Sequence, residues 1–163
     1  MDEVDRIVVA WRRERPDLDV GPLEVLSRVT RLARLLDRAR SAAFARHGLE
    51  AWEFDVLAAL RRAGSPYQLS PGQLVGLTMV TSGTMTNRID RLTGRELVRR
   101  QPDPADGRGV MVTLEDTGKL LADTALADLL EVERSVLTVL DQAEHQQLSR
   151  LLRDLWTAFD PLP

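Results

Sequence analysis

Residues 69–114, LSPGQLVGLTMVTSGTMTNRIDRLTGRELVRRQPDPADGRGVMVTL, are the most informative part of the sequence. It predicts a short helix, a turn, a second helix with a polar face, and a two-stranded ribbon with a basic tip. Ser70-Pro71 marks a helix start, because serine caps exposed backbone amides and proline at the first helical position loses no needed donor. Thr81 or Ser82 is expected to cap the second helix in the same way.

The second helix carries two different faces. Met85, Ile89 and Leu92 recur at helical spacing and predict a stripe that anchors the helix to a core. Another face carries hydroxyl, amide and guanidinium groups, which can read base edges in a DNA major groove. The residues expected to contact DNA from the two helices are Ser70, Ser82, Thr84, Thr86, Asn87, Arg88 and Arg91.

The ribbon is predicted by two runs rich in β-branched residues, 97–101 and 110–114. The connection between them, PDPADGRG, is dense in turn-forming residues. Arg108 lies near its tip, where a guanidinium can enter the adjacent minor groove. We expect the Asp106 carboxylate to hold the tip by accepting backbone amides or pairing with Arg108, without touching DNA.

This order of helix, turn, helix and wing resembles the MarR family of bacterial transcription regulators. The ribbon matches the family's Asp-Pro-x-Asp-x-Arg pattern over residues 103–108. The resemblance implies a fold that is mainly α with a small β-hairpin wing, in which N- and C-terminal dimerisation helices flank a winged helix-turn-helix domain. It also implies a double-stranded DNA operator as partner. Glu96 stands where most members end the recognition helix with glycine, so we expect that turn to shift toward Gly94.

Apolar periodicity outside this unit predicts further helices over residues 2–15, 22–47, 50–63, 116–140 and 142–159. We expect one MarR-like domain over residues 1–163. Its parts are N-terminal helices (1–48), the winged helix-turn-helix (50–115) and C-terminal helices (116–163).

The terminal helices carry more apolar surface than a small winged unit covers. A palindromic site also requires a two-fold partner, so we expect a homodimer joined through these helices, as the resemblance implies. The expected inner stripe of the long second helix is Leu26, Val29, Leu32, Ala33 and Leu36.

The segment WRRERPDLD, residues 11–19, resembles the urate-responsive branch of the family. The resemblance implies a site for anionic aromatic ligands formed by Trp11, Asp55 and Arg100, with Thr86 where the branch has serine. Tryptophan offers a stacking face, arginine a planar fork for an anion, and aspartate a charge that an anion disturbs. Each has a plainer interpretation: Trp11 as core, Asp55 as a cap or ion-pair partner, Arg100 as a phosphate contact.

The same branch suggests a mechanism. We expect Asp55 and Arg100 to form an ion pair without ligand, which an anion breaks. The chain is then a repressor that releases its operator when a small anionic effector binds, with urate as the first candidate.

Composition limits the other functions. The chain has 163 residues, 44% of them hydrophobic, which suits one folded domain. It has no cysteine, so disulfides and cysteine-ligated metals are excluded. No phosphate loop, nucleophile constellation or metal-ligand spacing is present, so we expect no enzyme, no cofactor and no metal. No apolar run approaches a membrane span and no signal segment opens the chain, so we expect a cytoplasmic protein without membrane contact.

The net charge of −3 is unevenly distributed along the chain. Residues 81–113 carry six arginines against four acids, whereas residues 114–163 carry four basic residues against ten acids. Affinity for DNA depends on local contacts to phosphate, so the acidic total does not exclude binding. A winged-helix protein-interaction module without DNA binding remains the alternative, although it would not need Asn87, Arg88 or Arg108.

Overall fold

The computed structural model describes residues 1–103 and 109–159. The protein is mainly helical with one small antiparallel sheet, as the sequence predicts. The chain divides into two compact units, one over Met1–Trp52 and one that begins at Glu53.

The first unit contains α1 (Glu3–Glu14) and α2 (Pro22–Ala45). Asp2 caps α1, because its carboxylate accepts a hydrogen bond from the Asp5 amide at 3.0 Å. The Asp5 carboxylate accepts one from the Asp2 amide at 2.7 Å, which completes a capping box. Pro22 opens α2 at the position where its missing amide costs nothing.

A small apolar cluster joins these two helices. Val4, Val8 and Val20 are buried in it, and Leu23 packs against them. Three ion pairs connect the same helices: Arg28–Asp2 at 2.8 Å, Arg28–Asp5 at 2.6 Å and Arg31–Glu3 at 3.0 Å.

The stripe expected on the inner side of α2 is not buried within the chain. Its large members are 37–53% exposed, and its alanine is exposed as well. An apolar stripe of this length in water requires a partner surface. The residues concerned are Leu26, Val29, Leu32, Ala33 and Leu36.

The second unit holds the remaining elements. Its helices are α3 (Ala51–Arg62), which begins just before the division, α4 (Pro71–Thr78), α5 (Ser82–Gly94), α6 (Asp116–Leu137) and α7 (Gln142–Phe159). Its strands are β1 (Gln68–Leu69), β2 (Val98–Pro102) and β3 (Val110–Leu114). The strands form an antiparallel sheet in the order β1-β3-β2.

The core of the winged unit forms where α5 packs against α4 and β2, and α4 against β3. The predicted anchoring stripe of α5 is confirmed, since Met85, Ile89 and Leu92 are at most 1% exposed. Leu74 of α4 and Val112 of β3 are fully buried as well. Helix α5 is therefore held to the core by its apolar face, and its other faces remain available for contacts.

Strand β1 was not expected from the sequence. It pairs Gln68 with Thr113 and Leu69 with Val112, and the Leu114 amide donates to the Tyr67 carbonyl at 3.0 Å. A strand of two residues is too short to show an alternating pattern. It makes β3 the central strand of the sheet and so supports one side of the wing.

Helix α6 begins in very close contact with the turn between α5 and β2. The Glu115 amide donates to the Leu97 carbonyl at 3.0 Å, and the Thr117 hydroxyl donates to the Glu96 carbonyl at 2.7 Å. A Cβ atom added at Gly118 would lie 2.2 Å from the Leu97 oxygen. Only glycine permits this approach.

Helix α7 buries none of its side chains within the chain, as far as its described residues 142–158 are concerned. Large apolar side chains are among those exposed: Leu148, Leu151, Leu152, Leu155 and Trp156. Among the helices that the structure describes, none combines the length and apolar character needed to cross a bilayer.

Candidate nucleic-acid interface

The first helix of the motif starts as the sequence predicts. The Ser70 hydroxyl accepts from the Gln73 amide at 3.2 Å, and the Gln73 side chain accepts from the Ser70 amide at 2.8 Å. The Ser70 side chain thus caps α4, with Pro71 at the first helical position. Helix α4 ends at Thr78, and its C-cap Met79 adopts a left-handed backbone (φ 51°) before the chain enters α5.

Of the two cap candidates for α5, the structure selects Thr81. Its hydroxyl accepts from the Thr84 amide at 3.3 Å and lies 2.9 Å from the Thr84 hydroxyl. The Thr86 hydroxyl donates to the Ser82 carbonyl at 3.1 Å. These short-range bonds fix the hydroxyl groups on the first turns of α5.

The polar side of α5 faces outward. Ser82 and Thr84 at its start are exposed, as are Thr86 and Asn87, while Arg88 is half-buried. Arg91 lies one turn further along and is also exposed. Because the apolar stripe is buried on another side, α5 presents hydroxyls, an amide and guanidiniums away from the core, which is the arrangement of a helix that enters a major groove.

The turn after α5 differs from the expectation. Glu96 itself adopts the left-handed conformation (φ 57°), so the shift toward Gly94 is wrong. The Leu97 amide donates to the Leu92 carbonyl at 3.1 Å, and the Glu96 amide to the Thr93 carbonyl at 3.0 Å. This bond pair is a Schellman motif, whose backbone bonds hold a non-glycine residue in place.

A carboxylate that sequence reasoning missed fixes the end of α5. Glu53 on α3 has a side chain only 3% exposed, and both of its oxygens lie 2.7 Å from Nη1 of Arg95. Arg95 is the residue that caps the C-terminus of α5. The pair therefore links the end of the recognition helix to α3. The sequence signal was an acid among the apolar residues of α3.

The wing strands follow the expected positions. Strands β2 and β3 pair from Val98 with Leu114 to Pro102 with Val110, and the Asp103 amide donates to the Gly109 carbonyl at 2.9 Å. The tip predictions for Asp106 and Arg108 lie outside the described residues.

Arg100 makes a different ion pair from the one we expected. Its Nη1 lies 2.5 Å from Oδ1 of Asp90 on α5, and its Nη2 lies 3.4 Å from the Thr86 carbonyl. The expected pair with Asp55 is therefore wrong. Strand β2 lies next to the recognition helix, so the Asp90 carboxylate on that helix is the one that reaches Arg100.

The other predicted ligand residues lie on separate elements. Trp11 is on α1 in the first unit and is 49% exposed, so it is not a core residue. Asp55 is an exposed residue of α3 in the second unit, between the buried Phe54 and Val56.

Comparison with known proteins identifies the family. Residues 47–109 match the model of the MarR family. The chain is 42% identical to the HTH-type transcriptional regulator PecS of Dickeya dadantii over 150 residues, which cover 92% of this chain and 90% of that protein. The chain belongs to the MarR family. It is a winged helix-turn-helix transcriptional regulator and not an enzyme.

Two solved structures resemble this regulator. A mutant MarR of E. coli in complex with operator DNA superposes with a TM-score of 0.71 and 25% identity, covering 90% of this chain and 100% of that one. BpsR of Bordetella bronchiseptica, whose DNA binding is regulated by 6-hydroxynicotinic acid, gives a TM-score of 0.61 and 31% identity over 78% of this chain and 98% of that one.

Proposed function

We propose that this MarR-family regulator is a homodimeric repressor that binds a palindromic operator and releases it when a small anionic aromatic compound binds. The observation that carries the proposal is the exposed polar side of α5 opposite its buried apolar stripe. A helix held by one face and polar on another suits insertion into a major groove.

The proposed DNA contacts are divided between the two grooves. The groups on α5, with those at the start of α4, read the major groove, and Arg108 on the wing reaches the minor groove. Ser70 caps α4 by accepting a hydrogen bond at its hydroxyl oxygen, and the hydroxyl proton remains available to donate to DNA. The operator-bound MarR of E. coli supports this assignment by its likeness in fold.

The homodimer is supported by apolar surface that the single chain leaves in water. Helix α2 exposes its stripe, and every described side chain of α7 is exposed. Monomeric proteins rarely expose apolar patches beyond a few hundred Å². We expect the terminal helices of two copies to bury more than about 2,000 Å² together, as obligate dimers do. Light scattering at micromolar concentration should give twice the chain mass; a single-chain mass would reject the dimer.

The effector proposal rests on Arg100, whose guanidinium is accessible on β2 next to α5. A planar guanidinium binds carboxylates or enolates through two parallel hydrogen bonds. Trp11 and Asp55 remain the further ligand residues that the sequence predicts. The regulation of BpsR by 6-hydroxynicotinic acid shows that a relative responds to an aromatic acid. Urate is the first candidate here.

A mobility-shift experiment with the DNA upstream of the regulator's own gene tests the proposal. We expect a retarded complex that urate or a related aromatic acid dissociates. Asn87→Ala should weaken the complex without changing the circular dichroism spectrum. A correctly folded protein that shifts no upstream fragment would instead favour a protein-interaction module.

A further inference from the structure

The ion pair between Arg100 and Asp90 joins the wing to the recognition helix. Arg100 lies on β2, and both of its partners, the Asp90 carboxylate and the Thr86 carbonyl, belong to α5. The bond to Thr86 is long at 3.4 Å, so the contact at 2.5 Å to Asp90 carries most of the attraction. The Asp90 carboxylate is therefore already paired with the guanidinium that an anionic effector would need to bind.

We propose that Asp90 is a built-in competitor for Arg100 that sets the effector concentration at which this regulator responds. The inference rests on the proposed function, because it concerns the same arginine. An incoming anion takes the guanidinium only by displacing the Asp90 carboxylate. Asp90 acts through Arg100 and is thus a positioning residue, not a ligand contact.

The exposure of the two side chains suits such an exchange. The Asp90 side chain is 56% exposed and that of Arg100 is 38% exposed. An exposed carboxylate returns to water at small cost, so the pair is weak enough for a ligand to break. When Arg100 leaves Asp90, β2 loses its described polar link to α5.

The chain supplies a control of nearly the same chemistry. Arg99, the preceding residue on β2, pairs with Glu115 at 2.9 Å, and the Glu115 side chain is 31% exposed. Glu115→Gln removes one negative charge near the same strand without touching Arg100. Asp90→Asn removes the competitor, while Asp90→Glu retains its charge.

The experiment measures the affinity of the full-length regulator for urate, 6-hydroxynicotinic acid and the neutral 6-hydroxynicotinamide by calorimetry, without DNA. Exposed ion pairs of this kind imply that Asp90→Asn binds the two anions about two- to fivefold tighter. Asp90→Glu and Glu115→Gln should bind them as the wild type does, and the amide should show no gain. The same gain should lower the anion concentration that half-dissociates the operator complex.

A gain of affinity confined to anions is a readout that a merely structural role of Asp90 would not produce. If Asp90→Asn binds the anions no tighter, or if Glu115→Gln gives the same gain, the competitor role is overturned while the proposed function stands. If the wild type and Asp90→Asn bind neither anion, the effector class of the proposed function fails and this inference fails with it.

Discussion

The substitution Gly118→Ala tests the close contact between α6 and the turn after α5. In most helices this change stabilises a protein by about 0.5–1 kcal/mol, because alanine has less backbone freedom to lose on folding. At Gly118 the new Cβ would lie 2.2 Å from the Leu97 oxygen and 2.9 Å from Cδ1 of Leu114. The Leu97 carbonyl is backbone and already accepts the Glu115 amide, so it has little room to move.

Relieving that contact requires a shift of the α6 backbone away from the turn. Overpacking of this type costs about 1–3 kcal/mol, which exceeds the gain from alanine. We therefore expect Gly118→Ala to lower the free energy of unfolding by about 1–2 kcal/mol. The thermal midpoint should fall by about 2–8 °C, given about 2–4 °C per kcal/mol for a chain of this size.

Gly76→Ala is the matched control. Gly76 lies inside α4, and a Cβ there meets nothing within 4 Å. This variant should gain about 0.5–1 kcal/mol. Urea unfolding followed by circular dichroism, at equal protein concentration, measures both variants, because dimerisation makes the midpoint depend on concentration. If Gly118→Ala is as stable as Gly76→Ala, the close-contact argument is wrong.

Three further predictions concern the interface, the acid response and the dimer. Arg108→Ala should weaken operator binding by about 1–3 kcal/mol in fluorescence anisotropy at fixed salt, and unchanged affinity would remove the wing from the interface. Hydrogen bonds from the Arg28 guanidinium and then from the Asp5 amide lower the pKa of Asp2 from 3.8 to about 2. A lowered carboxyl pKa stabilises the fold above pH 3.8, and this contribution is lost as the pH falls toward 2. The contact between α1 and α2, followed by NMR, should therefore loosen in that pH range. In Arg28→Met the same loosening should occur at higher pH, and identical acid transitions in the two proteins would contradict this. Leu152→Asp on α7 should give monomers in light scattering, whereas an intact dimer would place the interface elsewhere.

The sequence predicted the helices well because their signals are local. Proline at the start of α2 and α4, Ser70 as a cap, and the apolar repeat of α5 each act within a few residues. Such signals depend on backbone hydrogen bonding and on one buried stripe. The starts of α4 and α5 accordingly lie where the capping residues predict them.

The contacts that complete the candidate site were not predictable in the same way. Glu53 and Arg95 are 42 positions apart, and only the tertiary structure brings them together. The partner of Arg100 was wrongly predicted, because the choice between Asp55 and Asp90 depends on where β2 lies relative to α5. Glu96 shows the converse: two backbone bonds override the preference for glycine.

Footprinting of the operator shows whether two copies of α5 bind one palindromic site. Hydroxyl-radical protection of the upstream DNA should give two symmetric half-sites separated by about one helical turn, about 34 Å, because two copies of α5 must enter successive major grooves. The Arg91→Ala variant should lose protection of both half-sites together. Protection of a single asymmetric site, or none at concentrations at which the protein is folded and dimeric, would contradict the account.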